Sequence, residues 1–228
     1  MAHDLYGKGT WIFDLDNTLY PAVCDLFAQI DVKMGAYISD LLSVDLIEAR
    51  RVQKDYFMKY GTTLAGLMRH YHVDPHDYLD YVHDIDVSVV MPDARMARAL
   101  EALPGRKIVY TNGSAGHAAR VMERLGVTPL FEGVFDVLAS DFIPKPDPGA
   151  FGALVEAYAI DPGDAVMVED LAKNLIPAKD LGITTVWVPT ASEWSRAGAD
   201  GGFIDHVAED LSAWLAEVAG LDRTGLAD

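Results

Sequence analysis

Two aspartates two residues apart, Asp14 and Asp16, close the apolar run Trp11-Ile12-Phe13. Carboxylates that near repel each other, and both ionise only where a cation or a shared proton offsets the repulsion. Ending a buried run on such a pair is costly unless the acids do chemistry, one as nucleophile or metal ligand and the other as proton carrier. A surface turn with an N-cap aspartate is the plain alternative for this short motif.

Three further segments offer matching groups. Thr111-Asn112-Gly113-Ser114 follows an apolar run at 107–111 and precedes a helical pattern over 115–125. Thr111 and Asn112 supply hydrogen bonds, Gly113 lets the backbone approach closely, and the helix start offers N–H groups to an anion. Lys145 lies in Ile143-Pro144-Lys145-Pro146-Asp147-Pro148, where proline stiffens the backbone around one point charge suited to phosphate. Glu169 and Asp170, with Asn174 close behind, follow the apolar run at 165–168. Hard oxygen ligands of this kind suit Mg²⁺. Taken singly, each has an ordinary reading: a strand-to-helix turn, a solvated loop lysine, an N-cap aspartate.

The elements that must position these groups alternate. Short β-branched runs at 10–15, 107–111, 133–138, 165–168 and 184–188 read as strands buried on both faces. Helical spacing separates most of them, as in Ala118, Val121, Met122 and Leu125, in Phe151, Leu154, Val155 and Tyr158, and in Leu211, Trp214, Leu215 and Val218. The pattern predicts an α/β fold: a Rossmann-like parallel sheet with helices on both faces. Residues 22–90 break the alternation. Val23, Phe27, Ile30, Met34, Ile38 and Leu41 recur at helical spacing, and no strand pattern is present. The expected organisation is a core of 1–21 and 91–228 with an inserted helical cap at 22–90. An insert directly after the first strand stands where doubly wound folds bind ligands. In that frame all four chemical segments lie at C-terminal strand ends and can converge.

The chain has 228 residues, with 35 acidic and 18 basic side chains and a net charge of −17. That charge argues against a nucleic-acid polymer or an anionic membrane as partner, but not against a small anionic substrate. The single cysteine, Cys24, excludes an intrachain disulfide and a cysteine-based zinc site. No apolar run reaches the roughly 18 residues a membrane span needs, and the N-terminus lacks a signal-peptide core. A cytoplasmic protein is expected; the sequence does not set its oligomeric state.

The order Asp-x-Asp, Thr-Asn, Lys-Pro, Glu-Asp resembles the haloacid dehalogenase superfamily of phosphohydrolases, whose four motifs are matched between residue 11 and about 190. Within it, residues 13–20, 56–66 with His70, Val73 and Asp74, and Thr111-Asn112-Gly113 with His117 and Arg120 are similar to the pyrimidine 5′-nucleotidase group. So is Asp170 followed by Asn174. The resemblance implies that Asp14 attacks phosphorus and that Asp16 serves as acid and then base. Lys145, Thr111, Asn112 and Gly113 would hold phosphate oxygens. Mg²⁺ would bind Asp14, the Asp16 backbone carbonyl and Asp170, with Glu169 standing where many relatives carry a second aspartate. Asn174 replaces a common acid and would hydrogen-bond near the ion or Lys145. Tyr20 and His70 would contact the substrate, first choice a pyrimidine nucleoside 5′-monophosphate. A phosphatase or phosphomutase acting on a sugar or other small metabolite is the alternative within enzymes. A phospho-accepting signalling module is the alternative outside them.

Other candidates rank lower. His70, His72 and His76 do not share a helix face as a metal site requires. Tyr56 and Tyr60 could stack on a base, although a place in the core of the insert suits them better. The acids after Ala191 (Glu193, Asp200, Asp205, Glu209, Asp210, Glu217, Asp222 and Asp228) are expected to form a solvated face.

Overall fold

A computed structural model describes residues 2–221. Six strands form one parallel sheet: β1 (Thr10–Phe13), β2 (Arg106–Tyr110), β3 (Gly133–Phe135), β4 (Ala165–Glu169), β5 (Thr184–Trp187) and β6 (His206–Val207). Their spatial order is β3-β2-β1-β4-β5-β6. The chain builds outward from β1 to β3, then returns to lay β4 on the other side of β1. The reversal between β1 and β4 is a topological switch point, where such sheets open a crevice at their C-terminal ends.

Successive residues of β1 serve opposite faces. Trp11 and Phe13 pack with Met96, Leu100, Val121 and Leu215, while Ile12 packs with Phe151, Leu154 and Leu175. The helices that supply these partners therefore cover both sides of the sheet. The expected strands are present with slightly different ends: β4 is one residue longer, β2 starts and ends one residue earlier, and the other three end one to three residues early. The run at 133–138 stops at Phe135 because Asp136 turns away to accept the N–H groups of Ala115 and Ala139. The sixth strand has only two residues, too few to show a period. Asp205 holds it, accepting from the Thr185 N–H at 3.0 Å and from Lys179 Nζ at 2.5 Å. Asp205 and Asp210 are both exposed, as a solvated face requires, and Asp210 also caps the last helix. Asp222 and Asp228 lie outside the described residues.

Between β1 and the next core helix lie four α-helices: α1 (Leu26–Leu42), α2 (Leu46–Tyr60), α3 (Thr63–Tyr71) and α4 (Pro75–His83). Asp45, Thr62 and Asp74 cap the last three from the side chain, and Pro75 opens α4. They share a separate apolar cluster that includes Ile30, Ile38, Val52, Leu67, Tyr78 and Val82. The remaining helices are α5 (Ala94–Ala102), α6 (Ala115–Leu125), α7 (Pro148–Ala157), α8 (Leu175–Asp180), α9 (Glu193–Arg196) and α10 (Leu211–Val218). Among the described residues no helix is long and apolar enough to cross a membrane.

Candidate active site

The β1–β4 ladder runs one bond past β1: the Asp14 N–H donates to the Val168 carbonyl at 2.9 Å. Asp14 is thereby fixed beside Glu169, the last residue of β4. Its carboxylate is buried and accepts from Thr18 Oγ1 at 2.8 Å on one oxygen and from Lys145 Nζ at 2.7 Å on the other. The same ammonium donates to Glu169 Oε2 at 2.7 Å and to the Tyr110 carbonyl, at the end of β2, at 2.9 Å. One buried cation thus ties the ends of β1, β2 and β4 together.

Lys145 is held in place by its backbone. Its N–H donates to Asn112 Oδ1 at 2.8 Å, and its carbonyl accepts from Asn112 Nδ2 at 3.3 Å. The amide expected to bind phosphate therefore spends both ends on the lysine loop and acts as a clamp. Gly61, at the end of α2, approaches the same loop with φ +84°; a Cβ there would stand 3.0 Å from the Lys145 carbonyl oxygen. Only glycine meets both demands without strain. Thr111 Oγ1 accepts the Gly113 N–H at 2.9 Å. Two of the N–H groups at the start of α6 are already taken. Asp136 takes the Ala115 N–H and Ser114 Oγ takes that of His117.

The carboxylates of Asp14, Glu169 and Asp170 offer oxygens within 4.8 Å of one another, all buried. Among the described residues Lys145 is the one cation bonded to them, so the cluster holds excess negative charge. Burial first, then Glu169, pushes Asp14 up to about 7 against the opposing pull of Lys145. Burial, Glu169 and Asp14 raise Asp170 well above the usual carboxylate range. Glu169 Oε1 accepts the Leu171 N–H and Asn174 Nδ2, at 3.2 and 3.1 Å. Both Glu169 oxygens thus have protein partners, while the buried Oδ1 of Asn174 has none. All-oxygen, under-neutralised and buried, this donor set fits a small divalent cation such as Mg²⁺.

Asp16 faces different neighbours. Its Oδ1 accepts from the Tyr20 hydroxyl at 2.6 Å and lies 2.8 Å from His117 Nε2. Burial works to raise it, but the attraction and hydrogen bond of His117, aided by Tyr20, bring it down to about 2. His117 stacks on His83 with ring centres 4.4 Å apart and planes within 7°. Burial above all, with His117 and Arg120 adding, pushes His83 down to about 3, so it is neutral near pH 7. Asp14 and Asp16 therefore part because Glu169 repels charge on the first while His117 and Tyr20 stabilise it on the second.

Above the acids opens a cavity of about 500 Å³. Asp14, Asp16, Thr111, Asn112, Gly113, Lys145, Glu169, Asp170 and Asn174 all line it. Two expected substrate contacts do not. Tyr20 is buried against Asp16. His70 is exposed on α3, bonded to the Tyr60 hydroxyl at 2.6 Å and stacked on Tyr56, whose ring lies against Gly66. Its aromatic partners hold it within the helical layer, away from the cavity. The walls come instead from residues that motif reading passed over: Phe27, Met34, Gln53 and Phe57 on α1 and α2, Tyr78 and His83 on α4. One signal was available. Asp31 and Gln53 are polar residues beside the apolar stripes of α1 and α2, and Gln53 is buried. At the rim, Phe57 meets Trp194 of α9 edge-on at 5.9 Å. Lys173 covers the Phe57 ring and Lys54 the Trp194 ring, at 3.9 and 4.4 Å.

The sequence profile of haloacid dehalogenase-like hydrolases matches residues 10–182. "Phosphate metabolism protein 8" of Saccharomyces cerevisiae is 28% identical over 194 residues, 77% of this chain and 60% of the yeast protein. The chain thus spans less than two thirds of that relative. Phosphoglycolate phosphatase of Rhodospirillum rubrum is 27% identical over 199 residues, 77% of each chain. A haloacid dehalogenase-type phosphatase from Thermococcus onnurineus shares the fold at TM-score 0.61 and 19% identity, over 94% of this chain and 99% of that one.

Proposed function

The chain belongs to the haloacid dehalogenase-like hydrolases, and from that premise we propose that it hydrolyses a small phosphomonoester, a pyrimidine nucleoside 5′-monophosphate first. The observation that carries the reading is the floor itself. A buried carboxylate, Asp14, is bridged by Lys145 to a second acid, with a third beside them, beneath a cavity of about 500 Å³. Dehalogenation of a carbon centre needs a nucleophile but no excess of acids to receive a cation. Here Glu169 and Asp170 supply that excess. The names of the two relatives, one a phosphate-metabolism protein and one a phosphatase, point the same way.

In this reading Asp14 attacks phosphorus and becomes an aspartyl phosphate. Thr18 and Lys145 hold one Asp14 oxygen each, which fixes the plane of the carboxylate before attack. Asp14, Asp170 and the Asp16 backbone carbonyl would hold Mg²⁺, with Glu169 engaged chiefly by Lys145 and Asn174. The ion would neutralise the phosphate charge that a carboxylate nucleophile must otherwise approach. Asp16 would protonate the leaving oxygen, then take a proton from the water that cleaves the intermediate. Its low value supplies the ionised form for the second half. In the first half the phosphate dianion beside it favours protonation. Residues 22–90 would act as a cap that excludes water and selects the leaving group. A receiver-like module is disfavoured because the acid pair follows the first strand and the insert covers it.

The test is phosphate release from a panel of nucleotides, sugar phosphates, phosphoglycolate and phenyl phosphate. Repeated turnover, abolished by EDTA and restored by Mg²⁺, is expected, with UMP and CMP exceeding AMP and GMP in kcat/KM by about tenfold or more. Better hydrolysis of phosphoglycolate or a purine nucleotide would remove the nucleotide assignment. Stoichiometric phosphorylation without turnover would replace the enzyme by the signalling module.

A further inference from the structure

Asp16 is held by one of its two carboxyl oxygens. The Tyr20 hydroxyl donates to Oδ1 at 2.6 Å, and His117 Nε2 lies 2.8 Å from the same atom. An ionised carboxylate only accepts, so against it Nε2 carries the hydrogen and donates as well. Among the described residues Oδ2 has no partner, and Asp16 lines the cavity. With two donors on it, Oδ1 stays an acceptor whether the acid is protonated or not. That leaves Oδ2 to carry the proton.

His117 spends its side chain on this one bond. It is buried on α6 behind the cavity wall, and its Nδ1 is buried with no partner. Burying an imidazole with one nitrogen unpaired is destabilising, and an apolar ring would fill the space at lower cost. What the imidazole adds over such a ring is the bond to Asp16. The rest of the residue is fixed. Its backbone N–H donates to Ser114 Oγ at 3.3 Å, and its ring lies parallel to that of His83, 4.4 Å away. His83 ends α4, lines the cavity, and has its Nδ1 3.0 Å from the same Ser114 oxygen.

We propose that His117 is a positioning residue: together with Tyr20 it pins Oδ1 of Asp16 and so aims Oδ2 at the leaving oxygen. The inference rests on the phosphatase reading and deepens it, turning Tyr20 from a substrate contact into part of the support. In the first half Oδ2 gives its proton to the leaving oxygen as that oxygen's bond to phosphorus breaks and the Asp14 bond forms. In the second half a water oxygen bonds to phosphorus, the Asp14 bond breaks, and a proton of that water goes to Oδ2. His117 and Tyr20 neither gain nor lose a proton in either half. Unpinned, the Asp16 carboxyl turns about its side-chain bonds, and Oδ2 is less often within reach of the leaving oxygen. A leaving group that needs a proton feels that loss, and one that departs without a proton does not.

The experiment compares His117→Phe, which keeps a ring for His83 to stack on but has no donor, with His117→Gln, which restores an N–H near the place of Nε2. Release of the leaving group is followed in a single turnover of the full chain. The substrates are p-nitrophenyl phosphate and UMP, or whichever alkyl phosphomonoester is hydrolysed best. His117→Phe is expected to slow the alkyl substrate about tenfold at saturation, with half-saturation moved less than about twofold, and to slow p-nitrophenyl phosphate less than about threefold. His117→Gln should recover most of the alkyl rate. Beside Asp16→Asn, His117→Phe should cost nothing further, because the group it positions is already gone. Tyr20→Phe, a smaller change in packing, should move the same ratio the same way, which keeps the test alive if a His117 variant does not fold. Equal losses on the two substrates, a loss that persists in full beside Asp16→Asn, or a folded glutamine variant as slow as phenylalanine would each make the imidazole a packing residue and overturn the proposal. In all three cases p-nitrophenyl phosphate is still cleaved, so the phosphatase reading stands. A protein that cleaves no phosphomonoester overturns that reading and the proposal with it.

Discussion

The strand-end floor and the helical chamber above it contain similar side chains under opposite constraints. On the floor each functional group is at most a few bonds from a sheet hydrogen bond. Asp14 continues the ladder beyond β1, Glu169 ends β4, and Lys145 is clamped through its backbone by Asn112. Displacing any of them means breaking the sheet edge, so the floor tolerates a crowd of buried acids. In the chamber, polar groups hang from helices and settle one another, as Asp31, Arg50 and Gln53 do. The floor therefore stores electrostatic tension for chemistry, whereas the chamber releases it and keeps shape for selection. Rigid strand ends can hold repelling charges; a packed helical layer has to neutralise its own.

The most direct way to break this contrast is Asp14→Asn. It keeps the side-chain shape and one acceptor oxygen for Lys145, turns its amide N–H toward Thr18, and removes the attacking charge. Turnover is expected to fall by on the order of a thousandfold or more on every substrate, with the far-UV circular dichroism unchanged. Activity within tenfold of the original would show that the floor works by some group other than Asp14.

Asp16→Asn sharpens the contrast within the floor, because Asp16 alone of these acids faces His117 and Tyr20 rather than other carboxylates. A poor leaving group needs a proton, while an activated aryl oxide leaves without one. Loss on UMP is expected to exceed loss on p-nitrophenyl phosphate by about tenfold or more. Equal losses in single-turnover measurements would reduce Asp16 to a support for the loop.

This difference also explains what could be read from the chain. The floor was legible because strand-end groups fall within a few residues of short apolar runs, so local text carries the geometry. The parallel sheet and the helical segment at 22–90 were legible from period for the same reason. β6 was not, since two residues carry no period and the strand depends on Asp205 reaching across to Thr185. Nor was the clamp by Asn112, which joins residues 33 apart. The chamber was misread. His70 stands in motif-like text, but its partners Tyr56 and Tyr60 hold it outside the cavity. Tyr78 and Gln53 look like ordinary helix residues until three helices are packed together.

Stability offers a smaller but cleaner contrast. Asp14, with an ordinary value of 3.8, is pushed up to about 7, and Asp170 is raised as well. For an acid with a raised folded value, the unfolded chain loses its proton first. The metal-free protein then binds more protons than the unfolded chain between about pH 4 and 7, and its stability falls as pH rises through that window. Replacing Asp170 by Asn removes one buried, repelled charge and should stabilise the metal-free protein at pH 7.5 by about 1–2 kcal/mol. Adding Mg²⁺ should raise Tm in the original protein and far less in Asp170→Asn. If the substitution lowers Tm without metal, the acids are not under electrostatic tension.

The smallest expected effect tests the chamber's side of the comparison. His70 is exposed, its Nε2 bonded to Tyr60 at 2.6 Å and its ring 5.3 Å from that of Tyr56. Tyr56 in turn lies against Gly66, where an added Cβ would stand 2.3 Å from the tyrosine ring. The three rings form a brace that joins α2 to α3, and none of them lines the cavity. His70→Ala should therefore cost stability through lost stacking, about 0.5–1 kcal/mol, measured by urea unfolding. Its effect on the UMP to phenyl phosphate ratio should stay within about twofold, because no group facing the leaving group is removed. If His70→Ala narrows the ratio tenfold, the brace rather than the chamber reads the substrate, and the motif-like text around His70 marks a contact made only when the helices shift.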